Sequence, residues 1–181
     1  MTKASPYISH YAIRAKKYRE MLDWYAKVFE ARVQHENEFL AFMTFDDEHH
    51  RFVIFEMPDT VEKPANAAGV AHVAFGVADH GELVATYERL KSLGVAPDMT
   101  VNHRFTSSMY YHDPDGNEVE FSVDNFPSKA ETSAFMSTKD MEEIGRPPFG
   151  HEFDPEQLVQ MHREGKPFQE LARIGLPVTT S

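Results

Sequence analysis

Apolar positions recur every second residue in some stretches of the chain and every three or four residues in others. This pattern predicts strands that alternate with helices. The stretch from Ile8 to Arg14 alternates between apolar and polar positions, which predicts a strand. One face of this strand is expected to carry Ile8, His10, Ala12 and Arg14. From Lys16 to Glu30 the apolar positions recur every three or four residues, which predicts an amphipathic helix. The apolar stripe of this helix is expected to contain Tyr18, Met21, Leu22, Tyr25, Val28 and Phe29.

Short apolar runs after this helix predict three further strands and then a linker. The strands are predicted over residues 32–36, 39–45 and 50–57, with an acidic turn between the last two. Residues 58–68 combine proline with polar side chains and show no periodicity, which is typical of a linker. The first module, at about residues 7–57, is therefore expected to be strand, helix and three strands.

The same order of elements repeats after the linker. Residues 70–78 predict a strand, and Asp79 followed by Glu82 predicts the capped start of a helix that Gly94 ends. The buried stripe of this helix is expected to contain Leu83, Val84, Tyr87, Leu90 and Leu93. Three strands are predicted over residues 98–105, 108–112 and 117–123, and a turn at residues 113–116 joins the last two.

The repeat predicts an α+β fold. Two βαβββ modules, at about residues 7–57 and 69–126, are expected to form one curled mixed sheet around a central cleft. Together they would make one domain over residues 1–126. A chain of 181 residues is long enough for this domain and for an extension beyond it.

Residues 127–181 differ in character from the modules and form the predicted C-terminal extension. Pro127–Phe149 is expected to be irregular, with one helical turn around Asp140–Ile144. A helix is predicted over Pro155–Glu164, because Asp154 can cap it and Gly165 follows it. The apolar residues of the extension that are expected to be buried are Leu158, Met161, Phe168, Leu171 and Ile174. They are too few for a separate core, so the extension is expected to pack on the domain or on a partner subunit.

Composition and charge narrow the possible functions. The formal net charge of −11 disfavours nucleic acid as a partner, because phosphate contacts need clustered lysine and arginine. No apolar run is long enough for a membrane span or for the core of a signal peptide, so a cytoplasmic protein is expected. The chain has no cysteine, which excludes disulfides, thiolate metal sites and a cysteine nucleophile. Its ten histidines are then the natural nitrogen ligands for a metal.

Two histidines occupy equivalent positions of the repeat. His10 lies in YISHYAIRA and His72 in GVAHVAFGVAD, each in a predicted strand that precedes a helix. Either histidine alone would be interpreted as a core residue with a satisfied hydrogen bond. The last strand of the second module adds carboxylates, since Glu118, Glu120 and Ser122 share one of its faces. That strand alone would be interpreted as an edge strand with one solvated face. The combination predicts a metal site with two imidazoles and one carboxylate.

Such a ligand set leaves part of the coordination sphere open. Two imidazoles and one carboxylate on one face of an octahedron are typical of Fe(II) sites that bind an organic substrate and O₂ side by side. A closed structural zinc site would need four ligands, and the pattern supplies three.

These residues resemble the vicinal oxygen chelate superfamily, and within it the type I extradiol catechol dioxygenases. The resemblance covers about Tyr7–Phe126 and is most specific in DPDGNEVEF, residues 113–121. The extension, with GHEFDPEQLV, is similar to single-domain relatives of the biphenyl-diol dioxygenases. The resemblance implies Fe(II), with Mn(II) as the second choice, and O₂ as co-substrate. It implies a small aromatic diol as substrate, a role in aromatic catabolism and a homodimer or higher homo-oligomer.

The resemblance also implies roles for individual residues. The metal ligands fall on His10, His72 and Glu120, and the acid–base histidine falls on His50 of the pair His49-His50. The tyrosine that donates a hydrogen bond to the substrate oxygen and orients it falls on Tyr110. A further histidine of the family aligns near Val101, and His103 lies two residues later, on the same face of a strand. His50, Tyr110 and His103 are thus the expected catalytic and substrate-binding residues.

Three other functions fit parts of the pattern. A glyoxalase-like isomerase or lyase would need a further carboxylate from the first module, where residues 50–55 are mostly apolar. A non-enzymatic protein that sequesters small molecules would not need three ligands at matching places. A cupin would carry two histidines separated by one residue, which this chain lacks.

Overall fold

The strands and helices follow the predicted order, and each module forms its own hydrogen-bonded sheet. The computed structural model describes residues 5–64, 67–139, 141 and 149–177. These residues divide into two units, of which unit 1 extends to Gly69 and includes the turn Asp113–Asn117. Unit 2 contains Val70–His112 and the chain from Glu118 onwards. None of the helices in the described ranges is long and apolar enough to span a membrane.

Unit 1 contains one helix and four strands. They are β1 (Tyr11–Arg14), α1 (Tyr18–Phe29), β2 (Arg32–Glu36), β3 (Leu40–Thr44) and β4 (Phe52–Phe55). The strand order in the sheet is β1-β4-β3-β2. β1 runs parallel to β4, and the other pairs are antiparallel. This is the βαβββ arrangement that the sequence predicts.

The core of unit 1 lies between α1 and the sheet. The predicted stripe is confirmed, because Tyr18, Met21, Leu22, Tyr25 and Val28 are all buried. Ring centroids of Tyr25 and Phe29 each lie 4.8 Å from that of Phe52 on β4. Aromatic contacts of this kind add to the free energy that burial provides.

The first strand is shorter than predicted. β1 begins at Tyr11, so His10 precedes the strand, and Ile8 is 80% exposed. The alternation is confirmed within the strand, since Ala12 and Arg14 share an exposed face while Ile13, on the opposite face, is buried. β4 offers only four partner residues, and this short ladder limits β1 to four residues.

Unit 2 repeats the arrangement and carries the extension. Its elements are β5 (His72–Gly76), α2 (His80–Ser92), β6 (Met99–Asn102), β7 (Thr106–His112), β8 (Glu118–Asp124), α3 (Lys129–Phe135), β9 (His151–Glu152), α4 (Pro155–Arg163) and α5 (Phe168–Leu171). The strand order is β5-β8-β7-β6-β9. Two sheets, one in each unit, thus replace the single continuous sheet that the sequence suggested.

Both predicted helix starts in unit 2 are confirmed. The Asp79 carboxylate accepts a hydrogen bond from the Glu82 backbone N–H at 2.9 Å, and Glu82 accepts one from Ala78 N–H at 2.7 Å. Asp154 caps α4 in the same way through Glu156 N–H at 2.9 Å. Side chains that satisfy the first N–H groups of a helix fix where the helix begins.

Two burial predictions in unit 2 are wrong. Leu93 is 45% exposed, because α2 ends at Ser92 and Gly94, with a φ of 75°, turns the chain away. On α4, Leu158 is fully buried as predicted, but Val159 rather than Met161 is the second buried residue. Leu171 and Ile174 are buried and Phe168 is half-buried.

Besides the short α5, the extension contains a second helix that was not predicted, α3. Ser128 caps it by accepting from Glu131 N–H at 3.2 Å, and the Ser128 hydroxyl donates to the Glu131 carboxylate at 2.8 Å. The sequence Ser-Lys-Ala-Glu is thus a capping box. Of the helical turn expected around residues 140–144, only Met141 belongs to the described residues.

The extension packs inside unit 2. β9 adds to the sheet by pairing antiparallel with β6, where Val101 and Asn102 are the partner residues. The buried Asn102 side chain donates to the carbonyls of Ala172 and Ile174 at 3.0 and 2.9 Å. Helix α4 packs on α2, so the apolar side chains of the extension are buried against the second module.

Candidate metal centre and neighbouring side chains

An interior strand of unit 2, β8, carries the candidate carboxylate ligand. It lies between β5 and β7, so it is not the edge strand that its pattern alone suggested. One of its faces is apolar and buried through Val119, Phe121 and Val123. On the other face Glu120 is only 6% exposed and is the cross-strand partner of Tyr110. The register therefore buries a carboxylate beside a phenol.

His72, the candidate ligand on β5, contacts this carboxylate directly. Its Nε2 lies 3.0 Å from Oε2 of Glu120, and its Nδ1 lies 3.4 Å from Oε1 of Glu118. His72 and Glu118 are cross-strand partners, whereas Glu120 is opposite Ala74. The two carboxylates of β8 therefore face different nitrogens of the same ring.

The donor pair fits a divalent cation in charge and in spacing. No lysine or arginine among the described side chains pairs with the buried Glu120 carboxylate, and a buried carboxylate needs a compensating charge. Two ligand atoms about 2.1 Å from a metal and at a right angle are about 3.0 Å apart. His72 and Glu120 are separated by that distance. Imidazole and carboxylate together are a donor set that Fe(II) accepts.

Tyr110 and His103 form a second pair on the same side of the sheet. The Tyr110 hydroxyl lies 2.9 Å from Nε2 of His103, and its ring centroid lies 5.5 Å from that of His72. Burial, and then the negative charge of Glu120, raise the pKa of Tyr110 well above its ordinary value. Tyr110 therefore remains a neutral hydrogen-bonding group at neutral pH. The neighbouring Tyr111 points to the other face, where its ring packs on Phe121.

Unit 1 brings together His10 and His50. Their ring centroids are 4.7 Å apart, and the ring of Phe42 lies 5.1 Å from that of His50. Nδ1 of His50 lies 2.6 Å from Nδ1 of His49, so one ring donates to the other. Burial lowers the pKa of His50, the charges of His49 and His10 lower it further, and Glu48 opposes them.

Arg51 is a residue of this site that the sequence reasoning missed. Its guanidinium donates to the carbonyls of Ile8 and Ser9 at 2.8 and 3.1 Å and pairs with Asp46 at 2.9 Å. The segment that leads into His10 is thus held by a side chain adjacent to His50. The sequence signal that could have indicated this role is the position of Arg51, directly after the histidine pair and five residues after Asp46.

The turn Asp113–Asn117 has a structural role in unit 1. Asp113 accepts hydrogen bonds from the N–H groups of Asp115 and Asn117 and from the Tyr25 hydroxyl. Burial raises the pKa of Asp113, and these hydrogen bonds oppose the shift. The Asp115 carboxylate accepts from the N–H groups of Lys16 and Lys17, at 2.6 and 3.1 Å, just before α1. The motif that carries the resemblance thus holds the segment that leads into α1, 98 residues earlier in the chain.

The structure thus groups the six candidate residues by unit. Unit 2 contains two contacting pairs, His72 with Glu120 and Tyr110 with His103. Unit 1 brings together His10 and His50. Within the described ranges, no three or more histidine, aspartate or glutamate side chains form a group that could hold a metal. The three-ligand site with His10 remains a prediction.

Comparison with known proteins identifies the family and relatives that match most of the chain. Residues 7–121 match the model of the Glyoxalase/Bleomycin resistance protein/Dioxygenase superfamily. Biphenyl-2,3-diol 1,2-dioxygenase 2 of Rhodococcus globerulus is 39% identical over 170 residues, which are 93% of this chain and 87% of that protein. Biphenyl-2,3-diol 1,2-dioxygenase 3 of the same organism is 35% identical over 169 residues, which are 92% and 87% of the two chains.

Solved structures share the fold at lower identity. Lactoylglutathione lyase from Agrobacterium tumefaciens is 22% identical with a TM-score of 0.55, covering 67% of this chain and 96% of that one. A glyoxylase/bleomycin resistance protein/dioxygenase domain from Frankia sp. EAN1pec is 17% identical with a TM-score of 0.57, covering 69% and 96%. From its repeated modules and from the match over residues 7–121, the chain belongs to the glyoxalase/bleomycin resistance protein/dioxygenase superfamily.

Proposed function

We propose that this protein is an Fe(II)-dependent extradiol dioxygenase that inserts O₂ into a catechol-type aromatic diol next to its hydroxyls. The observation that carries the proposal is the buried Glu120 carboxylate with His72 Nε2 at 3.0 Å, beside the Tyr110–His103 pair. The two relatives named as biphenyl-2,3-diol dioxygenases, similar over more than nine tenths of this chain, support it.

The proposed ligands are His72 and Glu120 from unit 2 and His10 from unit 1. When bound, Fe(II) would act as a Lewis acid that favours the diol anion and as a common site for diol and O₂. Mn(II) is the second choice for the same ligands. The protein supplies the open donor set and holds the two reactants close together, which lowers the entropic cost of their encounter.

His50 is the proposed proton acceptor for a diol hydroxyl. In the tautomer whose Nδ1–H donates to His49, Nε2 of His50 holds the lone pair that takes a proton from the diol and returns it later in the reaction. The aromatic ring of Phe42 limits the motion of the His50 ring. A neutral imidazole held in this way is suited to proton transfer near neutral pH.

Tyr110 and His103 are the proposed hydrogen-bonding groups for the substrate oxygens. Tyr110 on β7 and Glu120 on β8 are cross-strand partners on the same face of the sheet. The Tyr110 hydroxyl can therefore reach an atom that is close to that carboxylate. Its raised pKa keeps the proton on the phenol at neutral pH. His103 contacts the same hydroxyl and thereby orients it.

The remaining expectations belong to the same proposal. The substrate partner would be a small aromatic diol, and the protein would work in the cytoplasm as a homodimer or higher homo-oligomer. Light scattering of the purified full chain tests the oligomeric state, and a monomer would contradict it.

The test of the proposed function is loading with Fe(II) under anaerobic conditions, then exposure to air with a panel of catechols. Yellow ring-opened products are expected, with uptake of one O₂ per diol. Bound iron without any ring-opened product would refute the dioxygenase. Isomerisation of a glutathione hemithioacetal would instead support the glyoxalase-like alternative, and tight binding of the diols without iron would support a sequestering protein.

A further inference from the structure

His103 is held at both ring nitrogens and at its backbone. Nε2 contacts the Tyr110 hydroxyl at 2.9 Å, Nδ1 contacts the backbone carbonyl of Phe149, and the His103 N–H donates to Thr106 O at 2.8 Å. Phe149 belongs to the C-terminal extension, 46 residues away in sequence. A residue proposed to bind substrate is therefore in direct contact with the extension.

The Phe149 contact determines the tautomer of His103. A backbone carbonyl can only accept a hydrogen bond, so Nδ1 of His103 must carry the proton that it donates. In the neutral ring Nε2 then holds the lone pair and can accept from the Tyr110 hydroxyl, for which Glu120 is the other acceptor.

The extension is anchored at two places C-terminal to this contact. β9 pairs with β6, with His151 opposite Asn102, directly after the Phe149–Gly150 segment. The buried Asn102 amide donates to Ala172 O and Ile174 O, so a later part of the extension is held by the same strand. The position of the Phe149 carbonyl is thus set by hydrogen bonds to residues that neighbour His103.

Asn102 also holds the loop on the other side of His103. Its Oδ1 accepts from Arg104 N–H at 2.7 Å, and Arg104 has a φ of 69°, which few residues other than glycine adopt. One buried amide thus fixes the loop through Oδ1 and the extension through Nδ2.

We infer that the extension is part of the catalytic site, because the Phe149 carbonyl holds His103 as the Nδ1–H tautomer and directs its Nε2 lone pair at Tyr110. The chemical consequence rests on the proposed function. With Glu120 engaged as a metal ligand, the Tyr110 proton points to His103, and the phenolic oxygen offers its lone pairs to the diol. Tyr110 then accepts a hydrogen bond from the protonated diol hydroxyl, instead of donating one. Phe149 and Asn102 are positioning residues in this arrangement.

The tautomer can be measured without iron and without turnover. The full chain is labelled with ¹⁵N-histidine, and long-range ¹H–¹⁵N spectra assign the protonated nitrogen of each ring. The signals that His103→Gln removes belong to His103. We expect Nδ1–H for His103 at neutral pH in the wild-type protein. An Nε2–H ring would overturn the inference.

Gly150 offers a substitution that separates the extension from His103. A Cβ at Gly150 would lie 2.7 Å from Asn102 O and 3.1 Å from His103 Nδ1, and the φ of Gly150 is 145°. Gly150→Ala must therefore displace the chain beside the Phe149 carbonyl. The Nδ1–H signal is expected to be lost or to become a mixture of tautomers.

Gly175→Ala is the matched control. Gly175 also has a positive φ, of 72°, and its Cβ would lie 2.6 Å from Glu152 O, but no atom of His103 is among its closest neighbours. This variant disturbs the same extension and should keep the Nδ1–H signal. If both glycine variants change the signal equally, the tautomer depends on general packing and the inference fails.

Tyr110→Phe distinguishes the two partners of His103. If the Phe149 carbonyl sets the tautomer, Nδ1–H persists when the phenolic hydroxyl is removed. A change to Nε2–H in this variant would mean that Tyr110 sets it, and would overturn the inference. If a variant fails to fold, the wild-type spectrum still tests the inference, because it shows which nitrogen of His103 carries the proton.

Kinetics separates this inference from the proposed function. With iron-loaded protein and a catechol, Gly150→Ala should lower kcat by about 10–100-fold, as for other residues that orient an active-site side chain, with Gly175→Ala within about twofold. An inactive wild-type protein with Nδ1–H at His103 would refute the dioxygenase but keep the tautomer. An active protein with Nε2–H at His103 would support the dioxygenase but refute the inferred tautomer.

Discussion

His72 Nε2 lies 3.0 Å from Oε2 of Glu120, and the same ring places Nδ1 3.4 Å from Glu118. The buried carboxylate and the more exposed one thus contact opposite nitrogens of one imidazole. A metal-binding imidazole commonly donates its other N–H to a carboxylate, which orients the ring. Glu120 is therefore the expected ligand and Glu118 the group that orients His72.

Replacing these two glutamates should weaken iron binding to different extents. Glu120→Gln removes the only carboxylate among the three proposed ligands, so Fe(II) affinity should fall more than 100-fold, by roughly 3 kcal/mol or more. Glu118→Gln should lower it by about 10–100-fold, the usual cost of losing such an orienting group. Anaerobic titration of the full chain with Fe(II) measures both. A larger loss for Glu118→Gln would show that the roles are reversed.

His50→Gln should slow turnover while iron binding is kept. A residue that transfers a proton contributes about 10²–10⁴-fold to the rate, and kcat should fall within that range. His35→Gln is the control, because His35 is an exposed histidine on β2 of the same unit. Loss of bound iron in His50→Gln, measured by metal analysis, would show instead that His50 is a ligand.

The stability of the folded protein should fall in mild acid because of His80. This side chain is 1% exposed, its Nε2 contacts Asn125 at 3.1 Å, and its Nδ1 has no partner among the described residues. Burial lowers the pKa of His80, and the hydrogen bond to Asn125 and the charge of Asp79 only partly oppose this. The folded protein therefore binds a proton at His80 less readily than the unfolded chain does.

The sign of the pH dependence follows from this lowered pKa. The contribution of His80 to the free energy of unfolding is fully present above the unfolded pKa of about 6.5 and is lost as the pH falls towards the folded value. Urea unfolding between pH 7.5 and 5 measures the loss, and His80→Gln should flatten it. If the free energy of unfolding of His80→Gln depends on pH as strongly as that of the wild-type protein, other groups cause the acid sensitivity.

Leu158 should be the most costly apolar side chain to remove from the extension. It is fully buried on α4, which packs on α2, so Leu158→Ala should lower the free energy of unfolding by about 2–5 kcal/mol. Met161→Ala on the same helix is the control, and because Met161 is half-buried its cost should be smaller. Equal losses in urea unfolding would mean that α4 is not packed as described.

Asp115 should stabilise α1 although it is far from that helix in sequence. Lys17, which precedes α1, provides no side-chain cap, and Asp115 accepts from the Lys16 and Lys17 N–H groups instead. Asp115→Ala should lower the free energy of unfolding by about 1 kcal/mol, the usual net value of a hydrogen bond. Asp47→Ala, at an exposed position, should change the free energy of unfolding by less than about 0.5 kcal/mol. If Asp115→Ala and Asp47→Ala changed the free energy of unfolding by similarly small amounts, Asp115 would not stabilise the start of α1.

Several features were predictable from the sequence because neighbouring residues determine them. The stripe from Tyr18 to Val28 follows from helical spacing, and the caps at Asp79 and Asp154 follow from side chains within four residues of the N–H groups they satisfy. The repeat of these local patterns predicted two βαβββ modules. Ser128 was an available signal of the same kind, through Glu131 three residues later, and it was missed.

The extent of β1, the exposure of Leu93 and the pairing of β8 could not be predicted in this way. Each depends on which strand lies beside it or on where the chain turns after a helix ends. Alternation in β8 indicated two faces but could not reveal that the face with Glu120 is buried beside Tyr110. Burial of a strand face depends on its neighbours in the sheet, which sequence alternation does not specify.

The sequence by itself determined the candidate ligands and the repeated modules, because residue types and their spacing are local properties. Only the tertiary structure decided how His72 divides its nitrogens between Glu118 and Glu120, and that His103 contacts both Tyr110 and the Phe149 carbonyl. A hydrogen bond between groups 46 residues apart leaves no periodic signal in the chain. It forms because strand pairing and burial bring the two segments to one place, where each polar group must find a partner.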